Sequence, residues 1–129
     1  MTITRKAIPG LALVMAKELF ESVVRGQEDL GGVFEYDGDT AYFYLYDMRQ
    51  KDQHKIIGAI HIFSGTTDLK DSDVIVQWDK GEQRVGLFLR GVQWAVFNVA
   101  SKRKCGGNYK TKDRPEIPKE EIFSCMGKN

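Results

Sequence analysis

The sequence predicts an α+β fold: an antiparallel β-meander of about six strands, curled into a roll or partial barrel, with an N-terminal helix packed on it. Three observations predict it. Residues 11–25 repeat their apolar side chains at three- and four-residue spacing. From Gly32 onward the period changes to two, and the runs are separated by short turns carrying glycine and aspartate. Two runs, Lys55–Phe63 and Val92–Val99, are apolar on both faces, which a sheet with one wet face does not require.

The helix is read from Leu11, Val14, Met15, Leu19 and Val23, with Lys17, Glu18 and Glu21 between them. Pro9-Gly10 and Gly26 serve as its start and stop signals, although Val23-Val24 can equally begin a strand. Val33–Tyr36 then leads into Asp37-Gly38-Asp39, a hairpin signal, and the return strand is Thr40–Tyr46. Residues 49–54 turn the chain into a third strand, Lys55–Phe63, and Ser64–Ser72 is a polar loop. Asp73–Asp79, Arg84–Arg90 and Val92–Val99 complete the meander, with reversals at Lys80-Gly81 and Gly91. Connections this short join antiparallel neighbours. One apolar face is expected to meet the helix, and the other to close the roll or meet another subunit.

After Ala100 the character shifts. Lys102–Tyr109 reads as a basic, glycine-containing loop, Pro115 and Pro118 exclude a central strand, and Pro118–Phe123 suits a short terminal helix. Residues 1–129 are thus expected to form a single domain: helix about 11–25, meander about 33–99, basic loop and tail 100–129. Residues 5–16 loosely imitate a secretory signal, but Pro9-Gly10 interrupts the apolar stretch, so an ordinary helix is the expectation.

At 129 residues, 42% apolar and 29% charged, the chain can bury a core without staples. No run approaches the roughly 18 apolar residues of a membrane span. Its two cysteines, Cys105 and Cys125, are expected to be free thiols in a reducing cytoplasm, since one bridge between them would close only a modest loop. The net charge is only +1, yet residues 28–79 carry a net −7 and residues 80–114 a net +7. Oppositely charged neighbouring strands explain this segregation most simply, and a surface that steers a partner is the alternative.

The run from Phe34 to Tyr44 resembles the opening of a family of small, uncharacterised bacterial proteins, in which a Phe-Glu-Asp-Asp-Gly hairpin leads into a Tyr-Phe-Tyr strand. The likeness continues through Ala59-Ile60-His61-Ile62, the strand ending at Trp78, Ala95-Val96-Phe97, Cys105 and Asn108-Tyr109, covering roughly residues 33–109. Tyr36 departs from the pattern, which has a second acidic residue there, and Cys105 is followed by two glycines in place of bulkier residues. The family carries no assigned activity, so the resemblance implies a common fold and no function.

Candidate chemistry is sparse. His61 sits on an apolar strand face with Ile57, Ala59 and Phe63, where a base or ligand is conceivable but a satisfied core histidine is commoner. His54 lies in a charged turn and is expected to be solvated. Asp68, Asp71 and Asp73 lack the glycine and terminal glutamate of a calcium loop, and Asp37 and Asp39 read as turn residues. Cys105, beside Arg103 and Lys104, has neighbours that favour a thiolate, but nothing brings it to His61. Residues 102–114 are basic with Tyr109 interleaved, yet the acidic half of the domain argues against nucleic acid. Tyr42, Tyr44 and Tyr46 share one strand face, opposite Phe43 and Leu45, as an interface or pocket wall would need.

The expectation is a non-enzymatic cytoplasmic binding module without cofactor or metal, acting as a homodimer or on a protein partner, with neither membrane nor nucleic acid involved. Its candidate contacts are Tyr42, Tyr44, Tyr46, His61, Trp78, Trp94 and Cys105. The alternative is a small-molecule or catalytic pocket in the roll near His61, Tyr44 and Trp94.

Overall fold

The computed structural model describes residues 19–51, 54–107 and 109–110. It departs from the expected class. Among the described residues there is no α-helix, only short 3-10 turns such as Asp71–Asp73 and nine strands in two sheets. The first sheet runs β1 (Leu19–Val24), β2 (Leu30–Tyr36), β3 (Thr40–Asp47), β4 (Ile56–Ser64), with a two-residue strand, β9 (Tyr109–Lys110), parallel to the end of β4. The second runs β5 (Val74–Trp78), β6 (Arg84–Leu89), β7 (Val92–Asn98), β8 (Arg103–Gly106), all antiparallel. The six strands of the meander lie where their alternation placed them. They are divided between two layers, and no barrel closes.

The expected helix is corrected at its C-terminal half, where Leu19–Val24 pairs along β2 from Leu19↔Tyr36 to Val24↔Gly31. Residues 11–18 lie outside the described residues, as do Cys125 and the expected terminal helix at Pro118–Phe123. The misreading has a definite cause. A four-residue interval such as Leu19 to Val23 is one turn of a helix, but it is also two full periods of a strand. Leu19 and Val23 join the core between the sheets, while Phe20 and Val24 pack on the opposite face. The C-terminal basic stretch is likewise no simple loop, since Arg103–Gly106 pairs with β7.

Side-chain acceptors shape the turns. Asp37 Oδ1 accepts from the backbone N–H groups of Asp39 and Thr40 at 2.9 and 2.8 Å, closing the β2–β3 turn. Asp79 does the same for Gln83 and Arg84 at 2.9 and 3.1 Å. Between β6 and β7, Arg90 and Gly91 both have positive φ (53° and 81°), the type I′ geometry that matches strand twist.

The two sheets face one another across a single core. Phe34, Phe43 and Ile62 from one meet Val76, Val85, Leu87 and Phe97 from the other. Phe43 and Phe97 touch with ring centroids 5.3 Å apart. This packing accounts for one apolar face of the doubly apolar strands, which meets a second sheet in place of the expected helix. Gly32 marks a close approach of the two sheets, since a Cβ there would lie 2.7 Å from Val85 Cγ2. Trp78 Nε1 donates across the layers to the Val23 carbonyl at 3.0 Å, and Lys104 Nζ to the Ala59 carbonyl at 2.9 Å. The nine-residue connection between β4 and β5 lets the chain leave one layer for the other, which a curled single sheet would not need.

Candidate functional site

Two places combine chemistry with exposure. The first is the outer face of the first sheet. Alternation along β3 sends Phe43 and Leu45 into the core between the sheets and puts Tyr42, Tyr44 and Tyr46 on the outer face, where Tyr42 and Tyr44 are half-buried and Tyr46 is buried. Tyr42 and Tyr44 stack with centroids 5.6 Å apart, and Tyr44 meets Tyr46 edge-on at 6.2 Å. His61 joins the row, its ring edge-on to Tyr42 at 5.3 Å, and shares a 2.9 Å hydrogen bond with Ser64 Oγ. A register shift between Ala41 and Tyr42 places Phe63 in the core and His61 outside, so the two do not share a face as strict alternation predicts. Val33 is fully buried beneath the row, with Phe20, Val24 and Met48 packed around it and Tyr46.

The row has one polar anchor. Tyr44 Oη donates to Glu35 Oε2 at 3.1 Å, and Glu35 is only 7% exposed. Burial first, and the adjacent Glu35 carboxylate second, hold the Tyr44 hydroxyl well above the ordinary phenol pKa. Tyr46 is raised by the same two causes in the same order. Both hydroxyls therefore stay neutral at physiological pH. Ile56, paired with Tyr46, extends the face and is 48% exposed.

The second place is a cleft of about 540 Å³ between the layers, at the opposite ends of these strands from Tyr36 and Ala41. Leu30 and Leu45 line it from the first sheet, Phe97 and Val99 from the second. Gly58 makes room, because a Cβ there would lie 2.8 Å from Phe97 Cε1. Ile57 and Asn98 also line it, and Arg49 and the consecutive Lys102, Arg103 and Lys104 supply its charge. Arg49 is neutralised by Asp47, whose buried carboxylate it binds at 2.8 and 3.0 Å. Arg49's hydrogen bonds outweigh the opposing effect of burial and bring the Asp47 pKa down to about 2.

The structure thus brings Tyr42, Tyr44, Tyr46 and His61 together and leaves the other candidates elsewhere. Trp78 is buried in the core with the Arg25 guanidinium 5.6 Å from its ring centre. Trp94 packs edge-on to Phe63 and Tyr109, at 6.1 and 5.0 Å. Cys105 is disulfide-bonded, which corrects the expected free thiol and removes it as a nucleophile; Cys125, the chain's other cysteine, lies outside the described residues. Neither His61 nor Tyr44 nor Trp94 lines the cleft. Sequence reasoning missed Leu30, which lay before the first strand it read, and Leu45 and Phe97, which read simply as strand residues. The run Lys102-Arg103-Lys104 was the available signal.

Part of the segregated charge resolves into local pairs. Arg90 binds Asp68 and Asp73 at 2.8 and 3.3 Å, Arg84 binds Asp79 at 2.7 Å, and Arg25 clasps Asp29 at 2.7 and 2.8 Å. Among the described residues no group of three or more His, Cys, Asp or Glu is placed to hold a metal ion. No helix among them is long and apolar enough to cross a membrane.

A protein of Haemophilus influenzae, described as uncharacterized, is 31% identical over 93 residues, 70% of this chain and 56% of that protein. The chain therefore spans little more than half of that relative's length. No solved structure matches it. A family model matches residues 13–122, nearly the whole chain. The chain belongs to that family, described as an uncharacterized protein conserved in bacteria (DUF2251).

Proposed function

We propose that this protein is a non-enzymatic binding module that engages a protein partner, or a second copy of itself, through the outer face of the first sheet. The observation that carries the reading is the contiguous row of His61, Tyr42, Tyr44 and Tyr46, running on to exposed Ile56. Tyrosines supply contact area with few rotatable bonds, and hot spots are enriched in them. Anchoring Tyr44 on buried Glu35 presets one ring, so less freedom is lost on docking.

Native mass of the wild-type protein beside Ile56→Asp tests the reading. Ile56 is chosen because it is exposed and its loss leaves the Tyr44–Glu35 bond intact. A wild-type dimer that becomes a monomer in the variant supports self-association. A monomeric wild type whose immobilised form retains a cellular protein that the variant releases supports a partner. Equal masses together with equal retention by both proteins would refute the proposal. As to location, disulfide-bonded Cys105 favours an oxidising compartment over the cytoplasm expected for free thiols. A thiol count on protein alkylated as the cells are broken decides between them, with two free thiols restoring the cytoplasm.

A further inference from the structure

We propose that the cleft between the sheets binds a small amphipathic anion, an apolar body ending in a carboxylate. The size fits, since about 540 Å³ lies within the range of small-ligand sites. Leu30, Leu45, Phe97 and Val99 supply an apolar wall from each layer. Phe97 occupies the space above Gly58 and braces the first sheet there.

The charge is the second observation, and it is independent of the volume. Arg25, Arg49, Arg84 and Arg90 each hold a carboxylate, and Arg103 is the arginine among the described residues that does not. Lys102 and Lys104 hold none either, as is true of the other lysines among the described residues. Among the described residues none of the three has a carboxylate ion pair, and Lys104 donates only to the neutral Ala59 carbonyl. No Asp or Glu is among the described residues that line the cleft. Three cations with no ion-pair partner among the described residues therefore stand over an apolar floor, in a protein whose net charge is only +1. A polyanion would use the charge but not the floor, and an uncharged oil the floor but not the charge. A ligand with one carboxylate and an apolar chain uses both.

Decanoate is the probe, titrated calorimetrically into the full-length protein, with decanol and propionate as the tail-only and charge-only comparators. The expected result is saturable one-to-one binding of decanoate, with both comparators at least about tenfold weaker. The double variant Lys102→Gln/Arg103→Gln, on exposed residues, is expected to weaken decanoate by about tenfold while its near-ultraviolet dichroism stays that of the wild type. Leu45→Gln in the floor gives a second loss through the tail. Non-saturating decanoate, decanol binding as tightly as decanoate, or unchanged affinity in the double variant would each overturn the proposal. So would tight binding of an acidic peptide in the absence of decanoate binding, since the basic rim would then serve a protein.

Discussion

The replacement of a helix by a second sheet has a sharp test at Gly32. Its backbone is extended, so a side chain meets no dihedral penalty there, only a lack of room. A Cβ would lie 2.7 Å from Val85 Cγ2, 3.0 Å from Val76 Cγ1 and 3.4 Å from Phe43 Cε1. The first two neighbours belong to the opposite sheet and are themselves almost fully buried, so neither side chain can swing away into solvent. Overpacking of this kind costs about 1–3 kcal/mol, against a gain of roughly 0.5–1 kcal/mol from removing glycine's freedom in the unfolded chain. Gly32→Ala is therefore expected to lose about 1–2 kcal/mol net, or roughly 3–10 °C in Tm for a domain this size. Urea unfolding measures it directly, and Gly81→Ala is the control, because nothing lies within 4 Å of a Cβ there. Val85→Ala alone opens a cavity and costs about 2 kcal/mol. Combined with Gly32→Ala it removes the clash, so the pair should cost less than the sum by about 0.5–2 kcal/mol. Additive losses, or a Gly32→Ala protein as stable as the wild type, would refute the close approach of the two sheets at this point.

Asp47 predicts a pH dependence. Its folded pKa is lowered from 3.8 to about 2, so its stabilisation is complete above the unfolded value and is lost as pH falls through the folded one. Asp47→Asn should cost on the order of 1–2 kcal/mol at pH 7, discounted because Arg49 is largely solvent-exposed, and the difference should vanish near pH 2. Equal stability of the two proteins at pH 7 would contradict it. Trp78→Phe should lose about 1–2 kcal/mol through the buried bond to the Val23 carbonyl, measurable by thermal unfolding, and an unchanged Tm would show that bond to be absent.

Much of the local structure was legible in the residues. Asp37-Gly38-Asp39 and Arg90-Gly91 mark their turns by chemistry that acts within four residues, and the alternation of Tyr42 to Tyr46 follows from the pleat alone. The tyrosine row was readable for the same reason, since only one strand's own period is involved. His61 reached that row through a register shift opposite Ala41 and Tyr42, which no pattern within β4 announces. Residues 19–24 were misread because their spacing suits both periods, and what decides is the partner strand, which pairs from Leu19↔Tyr36 to Val24↔Gly31 along the hairpin. The cleft was invisible for a further reason: Leu45 and Phe97 come from different layers and meet only after both have folded.

The sequence by itself therefore determined the six strands read between Val33 and Val99, most of their turns and the tyrosine face, because pleat and turn chemistry depend on neighbours along the chain. Tertiary structure alone decided that the strands divide into two facing sheets, that Leu19–Val24 joins the first of them, that Cys105 is bonded, and that three cations share one apolar cleft. Those outcomes rest on which apolar faces find each other in space, and burial is non-directional, so the alternation of a strand says that a face will be covered without saying by what.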